Sequence, residues 1–226
     1  MVALSPPLAQ RNGPSRRAPK DTHQTLLWKF QKTMLRNWTH YSKRLIIMMM
    51  SKKPTTTPPS AGRVIAIDPG YDRCGVAIIE RTGGKDTLLY SECITTDKKQ
   101  LFPERLATVG SEIVRLIARH QPTALSIEHL YFTNNQKTAM HVAEVRGALI
   151  FIAASLKIPV YEYTPSQVKV AVAGSGRADK KQMMLIIPKL IRVTKTIKHD
   201  DEYDAIALGI THLATHRTPQ KPIAAR

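Results

Sequence analysis

The stretch Arg63-Val-Ile-Ala-Ile-Asp68-Pro69-Gly70 decides how the rest of the chain is read. Four apolar residues, three of them β-branched, run without alternation into an aspartate and a Pro-Gly turn. That is the signature of a short strand covered on both faces. Asp68 then sits where rigid backbone meets the rim of a sheet. By itself Asp-Pro-Gly is a common turn, so this one residue does not define a site.

Downstream, Cys74-Gly-Val-Ala-Ile-Ile and, after the Gly83-Gly84 turn, Thr87-Leu-Leu-Tyr-Ser-Glu-Cys-Ile read as two more strands, giving three consecutive antiparallel strands. Leu106, Val109, Ile113, Leu116 and Ile117 recur at helical spacing within 101–120. Ala124 to Ile127 is a second buried strand, ending at Glu128. Residues 134–157 predict a long helix that is apolar on most sides, as expected of burial on two faces, one of them against a partner subunit. Pro159 to Tyr161 is a fifth strand. Thr164-Pro165 opens a helix with a capping hydroxyl and proline at the first position. Asp179 starts another helix, which Pro188 should kink or end, and 201–216 form the last. The order predicts an α/β domain with a mixed five-stranded sheet flanked by helices.

Upstream, residues 1–60 carry 11 Lys and Arg against the single Asp21 and end in a Thr/Pro-rich stretch, which predicts a basic disordered extension. An organelle transit peptide shares that composition; translation starting at Met50 is the favoured explanation. Residues 61–216 are assigned to a single globular domain and 217–226 to a flexible tail. The chain's net charge of +17 points to a polyanionic partner. Outside the extension the surplus is +7, all of it contributed by 169–198, so the domain has one basic segment. Cys74 and Cys93 make neither a disulfide framework nor a metal-ligand spacing. No apolar run approaches a bilayer span, so no membrane role is expected.

Acidic residues mark three places. Asp68 and Glu128 each end a buried strand, where a carboxylate must reach water or meet a cation. Asp201 and Asp204 open the last helix, three apart and therefore on one face. Acids at a helix start are favoured by the helix dipole alone. A carboxylate from each of two strands and two from one helix would nevertheless make the hard oxygen pocket that Mg²⁺ prefers.

Taken together, Ile-Asp68-Pro-Gly with Gly75-Val-Ala, Ile-Glu128-His-Leu-Tyr131-Phe132, Val145-Arg146-Gly147, Tyr161-Glu-Tyr-Thr-Pro-Ser-Gln-Val168-Lys169, Gly174-Ser-Gly176 with Lys180, and Asp201-Glu-Tyr-Asp204-Ala-Ile-Ala-Leu-Gly resemble the RuvC family of Holliday junction endonucleases, in order from Val64 to His212. The resemblance implies an RNase H-like fold and a cytoplasmic homodimer that nicks two symmetric strands of four-way junction DNA in recombination and repair. It implies Mg²⁺, two ions per subunit, with Mn²⁺ as the alternative metal and a branch-migration motor as a candidate partner. Asp68, Glu128, Asp201 and Asp204 fall on the metal-binding carboxylates, and Lys169 and Lys180 on basic residues that approach the DNA backbone. Tyr131 falls on an aromatic position near the junction centre, and Arg146 on a helix arginine that either touches DNA or only stabilises the fold. Asp200 is a third acid beside the expected pair, which opens the ligand choice among Asp200, Asp201 and Asp204. His199 is either a proton-transfer group or a surface histidine. The alternatives are an RNase H-like nuclease with another DNA or RNA target and a junction-binding protein without catalysis. An actin-like ATPase, which shares the Asp-x-Gly turn, would need a duplicated domain that the chain has no room for.

Overall fold

The computed structural model describes residues 62–130 and 136–215. The extension at 1–60, the tail at 217–226 and Tyr131 lie outside the described residues. Strands β1 (Arg63–Asp68), β2 (Arg73–Thr82) and β3 (Lys85–Thr95) form an antiparallel meander. Helix α1 (Phe102–His120) then crosses over to β4 (Ala124–Glu128), which pairs parallel with β1, and α2 (Gln136–Ser155) crosses to β5 (Val160–Tyr163), parallel with β4. Helices α3 (Pro165–Ala173), α4 (Lys180–Leu190) and α5 (Asp200–Thr215) complete the chain. The sheet order is β3-β2-β1-β4-β5, a mixed five-stranded sheet as expected.

The unbroken apolar run of β1 is explained by its central position. Val64 and Ala66 face a core shared with α3, α4 and α5, whereas Ile65 and Ile67 face a second core built with α1 and α2. Both faces are dry, so the strand has no polar side to show. The sandwich of helices on sheet on helices therefore hangs on a strand whose last residue, Asp68, emerges at one edge of both cores.

Two close approaches set where α5 begins and how it lies. Its N-terminus rides directly over β2: a Cβ at Gly75 would stand 1.9 Å from the carbonyl oxygen of Asp201. Further along, a Cβ at Gly209 would meet the Ile79 side chain at 2.7 Å. At Gly75, where the obstacle is backbone, only glycine permits the approach, and the two contacts carry the start of α5 to the strand end that bears Asp68.

Helix termini match the sequence signals and add to them. Thr164 accepts from the Gln167 backbone N–H while the Gln167 side chain returns to the Thr164 N–H, and Asp179 and Gln182 repeat the arrangement at α4. Pro188 is accommodated in the last turn of α4, two residues before its end. Helix α2 covers one of its apolar faces within the chain. Val145, Leu149 and Ala153 are buried, but Met140 and Phe151 on another face are 65% and 71% exposed, so a single chain buries only one face. By length and composition Thr138–Ser155 is also apolar enough to cross a membrane, contrary to the expectation that no such run exists. Scattered polar residues such as His141, Glu144 and Arg146 hide the run from inspection without lowering its mean hydropathy enough to exclude it.

Candidate active site

Four carboxylates converge at the end of the sheet where β1 and β4 finish. β1 and β4 are parallel neighbours with Ile67 level with Ile127, which places Asp68 and Glu128 side by side. Their charges act on each other, and the fields of Asp201 and Asp204 reach Asp68 as well. Burial, reinforced by the neighbouring carboxylates Glu128, Asp204 and Asp201, holds Asp68 well above the usual carboxylate range. Glu128 is raised chiefly by burial and then by Asp204. Like charges in a partly dry site cannot all ionise cheaply.

The helix acids are held differently. Arg73, the first residue of β2, places Nε 3.0 Å from Asp201 Oδ2 and a terminal nitrogen 3.4 Å from Asp200 Oδ1. Lys180, the first residue of α4, places Nζ 2.6 Å from Asp200 Oδ2 and 3.2 Å from Asp204 Oδ2. Asp200 thus offers one oxygen to each cation. Hydrogen bonding to Lys180 pulls its carboxyl down to about 2. Asp204 touches the same ammonium yet is raised, because desolvation outweighs the lysine. Asp201 is likewise raised by burial. Burial lowers the Lys180 ammonium, but its hydrogen bonds to Asp200 and Asp204 outweigh that and raise it.

The loop after Asp68 is pinned from below. Arg105, a buried α1 side chain, donates to the Tyr71 carbonyl at 3.1 Å and to Thr96 Oγ1 at 2.8 Å, pairs with Asp72, and lies 4.8 Å over the Tyr71 ring. On the other side Arg146 of α2 pairs with Glu162 of β5 and donates to the Glu128 carbonyl at 3.3 Å. Arg146 is therefore a brace of the β4 end within this chain. Lys169 is half-buried on α3, and no described contact joins it to the acids. His199 precedes Asp200, half-buried, with no described contact to the carboxylates. Arg73 was not singled out in the sequence, where it is one more charge at a strand start. Cys93 is likewise closer to the site than its sequence suggested, with Sγ 4.0 Å from Asp201 Oδ2. Its thiol is pushed up to about 11, mainly by burial and then by Asp201, so it is a poor nucleophile.

As placed, no three acidic, histidine or cysteine side chains among the described residues converge closely enough to hold an ion. The donor chemistry nevertheless fits a hard divalent cation: two adjacent strand carboxyls raised by burial and by like charges, and two more acids paired with the half-exposed Arg73 and Lys180.

A mixed five-stranded sheet with α5 laid across it, and carboxylates at the ends of its central strands, defines a nuclease of RNase H-like fold. The family model described as "Crossover junction endodeoxyribonuclease RuvC" matches residues 64–212. The chain belongs to the RuvC family of crossover junction endodeoxyribonucleases. It is 38% identical over 152 residues to the RuvC of Salinispora arenicola, covering 67% of this chain and 87% of that one. It is 40% identical over 152 residues to the RuvC of Alkaliphilus oremlandii, covering 67% and 93%. The structure is similar to that of T. thermophilus RuvC in complex with a Holliday junction substrate, with a TM-score of 0.65 at 29% identity over 69% of this chain and 95% of that one.

Proposed function

We propose that this chain resolves Holliday junctions in homologous recombination and repair, working as a homodimer in which each subunit hydrolyses one phosphodiester of a four-way junction. The observation that carries the reading is the meeting of Asp68, Glu128, Asp201 and Asp204 at one sheet end, in a chain that matches the family from residue 64 to 212. These four residues would hold Mg²⁺, two ions per subunit, with Mn²⁺ as the alternative. Bound there, the metal supplies a more acidic water and positive charge against the scissile phosphate.

The chain's own residues do the rest. β1 and β4 hold Asp68 and Glu128 on backbone fixed by two cores, so the adjustment that closes the four acids on an ion falls to side chains and not to these strands. Lys180 presents an ammonium at the acid cluster, where it offsets phosphate charge, and Lys169 contacts the DNA backbone further out. Tyr131, three residues past Glu128 in the sequence, stacks on a base near the junction centre. The products are a 5′ phosphate and a 3′ hydroxyl. The exposed face of α2, with Met140 and Phe151, supports a twofold contact that brings two sites to a symmetric substrate. A cytoplasmic location is the reading its bacterial-type relatives support, and a branch-migration motor is a candidate partner.

The test is cleavage of a labelled synthetic four-way junction beside a linear duplex and a flap, with Mg²⁺ and with EDTA. Paired symmetric nicks confined to the junction and lost in EDTA are expected. Cutting confined to the flap would instead assign the site to another structured nucleic acid.

A further inference from the structure

Asp200 and Arg73 are unused by the reading above, yet they organise the charges around it. Asp200 spends both carboxylate oxygens on cations of the chain, Oδ1 on Arg73 and Oδ2 on Lys180. Those cations come from the start of β2 and the start of α4, on either side of α5's first turn. Each also touches one further acid, Arg73 reaching Asp201 and Lys180 reaching Asp204. The two side chains remain about half exposed, 46% for Arg73 and 52% for Lys180. Their remaining N–H groups therefore face solvent at the mouth of the acid cluster. The guanidinium, planar with five donors, can keep one edge on a carboxylate while offering another to a phosphate.

We infer that Arg73 is a phosphate-binding residue that works with Lys180, and that Asp200 is a positioning residue that holds both cations at the mouth of the site and is not itself a metal ligand. The inference rests on the nuclease reading and names two further residues for it. An acid with both oxygens already on Arg73 and Lys180 is poorly placed to serve a divalent cation. Arg73 would exchange part of its contact with Asp201 for a non-bridging oxygen of the bound strand, as a surface ion pair does at little cost.

The experiment measures binding in EDTA across a salt series, on a four-way junction and on a linear duplex, with wild type, Arg73→Gln and Arg73→Lys. Arg73→Gln is expected to make the slope of log K against log salt shallower by about one on both DNAs, and Arg73→Lys to retain most of the wild-type slope. An unchanged slope in Arg73→Gln overturns the phosphate role. For Asp200, Mg²⁺ is titrated into wild type and Asp200→Asn and followed by thermal shift. Half-saturation within about twofold of wild type is expected, together with a cleavage rate lowered on the order of tenfold. A half-saturation raised by about tenfold or more would make Asp200 a metal ligand and overturn the positioning role. In the Asp200→Asn background, Arg73→Gln should cost less binding than it does alone, because the two act together; full additivity counts against the coupling. Should wild type show no preference for the junction over the duplex, the resolvase reading would fail, while the Arg73 slope on the duplex would still decide this inference.

Discussion

The two strand acids and the two helix acids sit in opposite electrostatic settings. Asp68 and Glu128 end strands locked between two cores, side by side and without an ion pair among the described residues. Asp201 and Asp204 start a helix and each carries its own cation, Arg73 or Lys180. The comparison teaches that rigid placement and charge compensation are supplied separately. The strands give position, with burial and like charges raising both acids; the helix start gives ion pairs to half-exposed side chains.

The most severe way to break this contrast is to remove a strand acid. Asp68→Asn should lower junction cleavage on the order of 10³-fold or more, the scale for groups acting at the reacting atoms, while leaving junction affinity in EDTA intact or tighter, since a negative charge is gone. Retained cleavage would refute the assignment. A smaller disturbance moves only the helix pair. Gly75→Ala drives a methyl into the Asp201 carbonyl, so α5's first turn must shift. Cleavage should fall on the order of 10²-fold with a stability loss of about 1–3 kcal/mol, read from denaturant melts. Unchanged kinetics would show that the helix acids tolerate displacement.

The finest probe is pH. Burial and like charges raise Asp68, Glu128 and Asp204 in the folded protein. A raised acid holds its proton more tightly folded than unfolded. Its favourable contribution is therefore full below the unfolded carboxylate pKa and lost as pH rises through the folded one. In EDTA at neutral pH, Asp68→Asn should melt a few degrees above wild type, and the gain should vanish as pH falls into the ordinary carboxylate range. Mg²⁺ should raise the wild-type melting point and shrink that difference, because it binds the folded state alone. A variant that melts below wild type at neutral pH would mean that the strand acids are not under repulsive strain.

Much of the frame was legible along the chain because it is local. Apolar runs, Gly-Gly and Pro-Gly turns and the Thr164 and Asp179 caps each declare an element within a few residues, and the strand-end and helix-start acids stood out against them. Helix α2 was harder: its apolar residues fit burial on two faces, but only the folded chain reveals that Val145, Leu149 and Ala153 take the core and Met140 and Phe151 do not. Arg146 was ambiguous for the same reason, since its partners Glu162 and the Glu128 carbonyl come from other elements.

By itself, then, the sequence determined the order of strands and helices, the four acids and the family that carries them. Tertiary structure decided which charges meet: Arg73 on Asp201, Lys180 on Asp204, and Asp200 between the two cations. The reason is physical. Secondary structure follows periodicities that repeat every two or four residues, whereas an ion pair needs only a few ångströms between side chains from distant segments. That distance is set by sheet register, by α5's close passage over Gly75, and by nothing written next to either residue.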